Sequence, residues 1–161
     1  MPAGMMFESP TKGRMSMDQM FTDLLLYMGE DPTSRYKLIV GTDSHTRHES
    51  YFVTAIVICR IGKGGRFFFS RSRRRAIRSL RQKVMFETSL SLTVAARVTE
   101  LLEASNVTER VDVEIHIDVG TTGDTRDLIR QIVGMVTGSG YQARIKPNAF
   151  GASTVADRFT K

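Results

Sequence analysis

The stretch Lys37-Leu38-Ile39-Val40-Gly41-Thr42-Asp43-Ser44 closes an apolar run with a glycine, a hydroxyl and a carboxylate, then turns polar at His45-Thr46-Arg47-His48-Glu49. It reads as a buried strand that delivers Asp43 to a sheet edge, where open α/β sheets place their chemistry. Fold and function both turn on whether other carboxylates arrive beside Asp43.

Downstream, Tyr51 to Ile61 is rich in β-branched residues and predicts a second strand. The Gly62-Lys63-Gly64-Gly65 turn leads to a third strand from Arg66 to Arg71 around Phe67-Phe68-Phe69. With Tyr36 to Asp43 as the first, three strands joined by short turns make an antiparallel meander. A long helix is predicted from Ser79 to about Ala104, its stripe carried by Leu80, Val84, Val94, Val98 and Leu101. Glu87 occupies the remaining place in that stripe, so its carboxylate should point at the sheet. Val111 to Asp118 alternates, with valines and isoleucines on one face and Asp112, Glu114, His116 and Asp118 on the other. Like the first strand, it ends in a carboxylate, here followed closely by Gly120. A helix from Thr125 to Thr137, a short strand from Tyr141 to Lys146 and a terminal helix from Ser153 to Phe159, carrying Asp157, complete the chain.

Upstream, Ser16 and Gln19 form a capping-box pattern ahead of an apolar face of Met20, Phe21, Leu24, Leu25 and Met28, ended by Gly29 and Pro32. Residues 1–15 lack periodicity and are expected to form a flexible arm, with one domain over 16–161. The order is a helix, then βββαβαβα. Two crossovers through a helix make the first, fourth and fifth strands parallel neighbours.

Composition bounds the function. At 161 residues, 41% hydrophobic and 25% charged, the chain has the means to bury an ordinary globular core. One cysteine, Cys59, excludes an internal disulfide or a thiolate cluster within the chain. No apolar run reaches the ~18 residues of a membrane span, and the start lacks a signal-peptide pattern. An intracellular, cytoplasmic protein is the expectation. A net charge of +6 and a pI near 9.8 tilt the partner toward polyanions.

The order βββαβαβ, with a carboxylate ending strand one, a Glu in the first long helix and an Asp ending strand four, resembles the ribonuclease H-like fold. The resemblance is closer to the YkuK family of predicted RNase H-like nucleases. It rests on Tyr36-Lys37-Leu38-Ile39-Val40-Gly41-Thr42-Asp43-Ser44, Phe52-Val53-Thr54-Ala55-Ile56-Val57-Ile58 and Glu87-Thr88-Ser89-Leu90-Ser91. His116-Ile117-Asp118-Val119-Gly120 and Val155-Ala156-Asp157-Arg158-Phe159-Thr160-Lys161 extend it over nearly the whole chain from about Gly13. It implies a five-stranded mixed sheet, antiparallel through strands one to three and parallel among one, four and five, flanked by helices and preceded by an extra helix. It also implies that Asp43 bridges two metal ions, that Glu87 and Asp118 hold one of them and Asp157 the other.

The chemistry has its own logic. Two divalent cations about 4 Å apart activate a water and stabilise the leaving oxygen in phosphodiester hydrolysis. Hard ions such as Mg²⁺ or Mn²⁺ take oxygen ligands and keep several waters, so three or four carboxylates suffice. Metal also relieves the repulsion of gathered like charges, which otherwise raises each pKa. The expected activity is therefore a metal-dependent nuclease acting on RNA, RNA/DNA hybrid or DNA.

A basic run accompanies this set. Arg71, Arg73, Arg74, Arg75, Arg78, Arg81 and Lys83 fall within thirteen residues that contain no acid. Such a run can bind phosphates without regard to sequence. His45 and His116 are candidate auxiliaries for proton transfer. Two other readings compete: a nucleic-acid-binding module of the same fold that has lost catalysis, and nucleotide binding by Asp118-Val119-Gly120-Thr121-Thr122. The latter resembles the phosphate turn of actin-like ATPases, but lies after the wrong strand and in a chain too short for their second domain.

Overall fold

A computed structural model of the chain describes residues 4–119 and 125–145. Its sheet has seven strands rather than the expected five, in the order β2-β1-β5-β4-β3-β6-β7. The strands are β1 (Met6–Ser9), β2 (Gly13–Ser16), β3 (Tyr36–Thr46), β4 (Glu49–Arg60), β5 (Gly65–Arg75), β6 (Val111–Ile117) and β7 (Gln142–Ile145). The helices are α1 (Met17–Gly29), α2 (Leu80–Ala104) and α3 (Arg126–Gly138).

The two additional strands come from the segment expected to be a flexible arm. β1 and β2 form an antiparallel hairpin, and β1 lies antiparallel against the edge of β5 through Glu8 and Phe69. Phe7 and Met15 are buried beneath α1, and Ser70 Oγ donates to the Met6 carbonyl at 2.8 Å. Four-residue strands are too short to show a period. Their order comes from contacts far along the chain. The buried Asp23 carboxylate of α1 takes Lys12 Nζ at 2.6 Å and Arg66 Nη1 at 2.9 Å, tying hairpin, helix and sheet together.

The remaining frame follows the sequence. β3, β4 and β5 are an antiparallel meander, while β3–β6 and β6–β7 are parallel. The β4–β5 turn uses left-handed backbone at Gly62 (φ +77°) and Gly64 (φ +91°), a region that only glycine enters without strain. Helix α1 starts with the full capping box: Ser16 Oγ accepts from the Gln19 N–H, and Gln19 Oε1 accepts from the Ser16 N–H.

Alternation gives the sheet two unlike faces. Leu38, Val40, Ile56, Ile58, Phe68 and Ile115 join all three helices in the main core. The other face carries smaller clusters, Ile39 with Ala55 and Val53 with Phe69. On α2 the buried stripe is Val84, Glu87, Thr88, Ser91, Val94, Ala95, Val98 and Leu102. Leu80, expected in that stripe, is 51% exposed and Leu101 is partly buried. A seven-residue spacing drifts ~20° per heptad on a helix of 3.6 residues per turn, so a stripe centred on Val94 loses its ends.

Candidate functional site

Thr42 and Ser44 precede and follow Asp43 on β3, and both point to the helix face. Thr42 Oγ1 lies 3.0 Å from Thr54 Oγ1 of β4 and 2.8 Å from Ser91 Oγ of α2. These buried hydroxyls satisfy one another and set the depth of α2 against the sheet. One turn before Ser91, Glu87 enters the same layer, 6% exposed, and accepts a short hydrogen bond from Ser44 Oγ. The sequence placed Glu87 toward the sheet, and that is where it lies.

Asp118 directly follows β6, which runs parallel to β3 as far as the Gly41–His116 pair. A narrow void where β3, α2 and β6 meet is lined by Thr42, Glu87, Thr88, Ser91, His116, Ile117 and Asp118. Asp43 belongs by alternation to the opposite face of β3, its cross-strand partner being Val53. Its Oδ1 accepts from the Ser44 N–H at 2.9 Å. Asp43 thus reaches the end of the sheet from one face and Glu87 from the other, and both lie near the end of β6.

Their electrostatics couple. Burial, first, and the negative charges of Asp43 and Asp118 push Glu87 up to about 8, against the opposing pull of the Ser44 hydroxyl and the Lys83 ammonium. Lys83 is one turn away on α2. Glu87 is therefore mostly protonated at neutral pH when no further cation is present. Among the described residues, no group of three or more His, Cys, Asp or Glu side chains stands close enough together to hold a metal ion. The expected fourth acid, Asp157, lies outside the described residues, as do Gly120, Thr121 and Thr122 of the alternative phosphate turn.

The basic run divides by face. Arg71, Arg73, Arg74 and Arg75 lie on β5, which extends four residues beyond its expected end by pairing with β4 as far as Glu49–Arg75. Arg74 turns to the helix face, its guanidinium 4.6 Å above the Phe86 ring. Arg71, Arg73 and Arg75 alternate onto the face that carries Asp43. Arg78 Nη2 donates to the Arg47 carbonyl at 3.1 Å, and Arg81 Nη1 to Gln131 Oε1 at 2.7 Å. The seven cations are therefore distributed over several surfaces.

The two histidines also separate. His45 is exposed, and its Nε2 accepts from Arg47 Nε at 2.9 Å. His116 is buried, with Nε2 3.1 Å from Glu114 Oε1. Glu114 was expected on the polar face of its strand, and on that face it is only 4% exposed. Lys37 Nζ approaches it at 3.0 Å and Arg144 Nε at 3.6 Å. Burial alone would raise the Glu114 pKa. Hydrogen bonds from His116 and Lys37, with the charges of Lys37 and Arg144, hold it below the ordinary value. Burial lowers the His116 pKa, opposed by the hydrogen bond and charge of Glu114. Sequence alternation separated these residues from the apolar face, but did not show that cations on two other strands compensate Glu114.

A family model described as Ribonuclease H-like matches residues 19–161. The chain is also 33% identical over 167 aligned positions to the uncharacterized protein YkuK of Bacillus subtilis (strain 168), with 97% of each chain covered. No solved structure matches. Strand order, the carboxylates at the ends of β3 and β6, and these matches agree: the chain belongs to the ribonuclease H-like family.

Proposed function

We propose that this protein is a metal-dependent nuclease that hydrolyses phosphodiester bonds in RNA, RNA/DNA hybrid or DNA. Family membership suggests a nuclease or hydrolase and the binding of nucleic acid. The observation that carries the finer reading is Glu87. A glutamate held at about 8 by burial and by two neighbouring aspartates lacks the counter-charge that its ionised form needs. Asp43, Glu87 and Asp118 offer only oxygen donors, the kind that a hard divalent cation, Mg²⁺ or Mn²⁺, takes. Asp157 is proposed as a further ligand, and two ions per site as the working stoichiometry.

When bound, such ions supply an activated water and a charge sink for the leaving oxygen. The chain's own contributions are separate. Ser44 orients Glu87 and favours its ionised form, and the Thr42–Thr54–Ser91 hydroxyls hold the helix turn beneath it. Arg71, Arg73 and Arg75, on the Asp43 face, would hold the phosphate backbone in a salt-dependent way.

The test is incubation of the full chain with Mg²⁺ or Mn²⁺ and end-labelled RNA, RNA/DNA hybrid or single-stranded DNA. Cleavage of at least one substrate, abolished by Asp43→Asn, is expected. Binding without cleavage by the wild type would overturn catalysis and favour the module that binds only. That second reading draws on the lack of a three-ligand cluster among the described residues.

A further inference from the structure

At the outer end of the meander, the strand register aligns His45 of β3, Tyr51 of β4 and Arg73 of β5 in one row on one face. The next row inward on that face is Asp43, Val53 and Arg71. Tyr51 is a large aromatic left 40% exposed, and the Arg73 side chain is 72% exposed. A ring there adds little to the core. It is flanked instead by an imidazole and a guanidinium, the planar groups that stack on or bond to a nucleobase. The acidic partners of the arginines are weak competitors. Arg71 Nε is 3.3 Å from Glu8 and Arg73 Nε is 4.0 Å from Glu49, pairs of an exposed arginine with a part-exposed glutamate that phosphate can displace.

We infer that the His45–Tyr51–Arg73 row is a base-stacking platform and that the nucleic acid bound beside Asp43 is single-stranded, not duplex. This rests on the reading of the chain as acting on nucleic acid, and it names the form of the substrate. In a duplex the faces of the bases are hidden against one another. A ring lying on a sheet surface finds a base to stack on only in an unpaired strand. The row is two residues beyond Asp43 along β3, which is about 7 Å. A base on Tyr51 therefore brings its own backbone to the carboxylate end of the sheet, with Arg71 and Arg73 alongside to pair with phosphate. Stacking is tolerant of sequence, so the same surface serves RNA or DNA.

The platform is tested by binding in EDTA, where cleavage cannot interfere. The probes are one fluorescein-labelled mixed sequence as single-stranded RNA, as single-stranded DNA and as the blunt DNA duplex. At least one single strand should bind tenfold or more tighter than the duplex. Tyr51→Ala should weaken that binding about fivefold or more, while Tyr51→Phe, which keeps the ring, should retain it. Equal or tighter duplex binding, no binding of any probe, or an unchanged affinity for Tyr51→Ala overturns the platform. If these binding results hold but Mg²⁺ produces no cleavage, the nuclease reading fails and the platform stands.

Discussion

Glu87 and Glu114 are two buried glutamates on opposite faces of one sheet, and they have opposite electrostatic fates. Glu114 has Lys37, Arg144 and a hydrogen bond to His116, and its carboxylate is held below the ordinary range. Glu87 has a serine hydroxyl, one lysine a turn away and two aspartates for neighbours, and it is pushed up to about 8. A buried carboxylate that the protein itself neutralises is part of the architecture. One left short of positive charge is stable as an anion only if something arrives from outside.

The largest consequence concerns activity. Glu87→Gln or Asp43→Asn should reduce Mg²⁺-dependent cleavage by more than about a hundredfold, since even outer partners of metal ligands commonly cost ten- to a hundredfold. Glu114→Gln should leave cleavage per folded molecule near wild type. If Glu114→Gln is as damaging to turnover as Glu87→Gln, the division between the two glutamates is wrong.

Stability should show the converse. Glu114→Ala leaves the buried His116 without its partner, while the part-exposed Lys37 and Arg144 return to water, and should cost about 1–3 kcal/mol in urea denaturation. The pH slopes should also be opposite in sign. The folded Glu87 pKa is raised, so its contribution is fully present below about pH 4.5 and is lost as pH rises toward 8. In EDTA the wild type should therefore lose on the order of 2 kcal/mol between pH 5 and 7 relative to Glu87→Gln. The Glu114 pKa is lowered, so its contribution is present above the unfolded value and fades as pH falls through the folded one. Urea titrations of the wild type and both Gln variants across pH 3 to 9 separate the two.

Added Mn²⁺ should raise the wild-type melting temperature at pH 7.5. A ligand at about a hundred times its Kd is worth about 2.7 kcal/mol. Neither Asp43→Asn nor Glu87→Gln should respond, whereas Glu114→Gln should respond as wild type does. The smallest effect belongs to Lys83→Met, which removes a partly screened charge one helical turn from Glu87. A few tenths of a pH unit of alkaline shift in the cleavage profile is expected, shrinking with added salt.

The strands that carry Asp43 and Asp118 were legible because a buried strand announces itself by apolar residues and its exit by glycine or a carboxylate. Glu87 was legible because a charge in an apolar helical stripe breaks the pattern. The β1–β2 hairpin was not legible, since four-residue strands have no period and its order comes from Phe7 beneath α1 and Asp23 between Lys12 and Arg66. The basic run was visible as a cluster but not as a surface. Pairing of β5 with β4 sends alternate arginines to opposite faces, and Arg74 ends above Phe86 while Arg73 lies beside Tyr51.

From the sequence alone came the meander, the parallel crossovers and the identity of three acids at the strand exits and in the helix stripe. These depend on local periodicity and connection length, which are written along the chain. Which buried carboxylate is neutralised and which is left wanting a cation was decided only in the tertiary structure. Lys37, Arg144 and His116 reach Glu114 by neighbouring strands and alternation on one strand, while Ser44 bonds Glu87 across a helix–sheet interface and the charges of Asp43 and Asp118 act on it through space. Charge interactions act through space, and the separation that sets their strength exists only after the chain has folded.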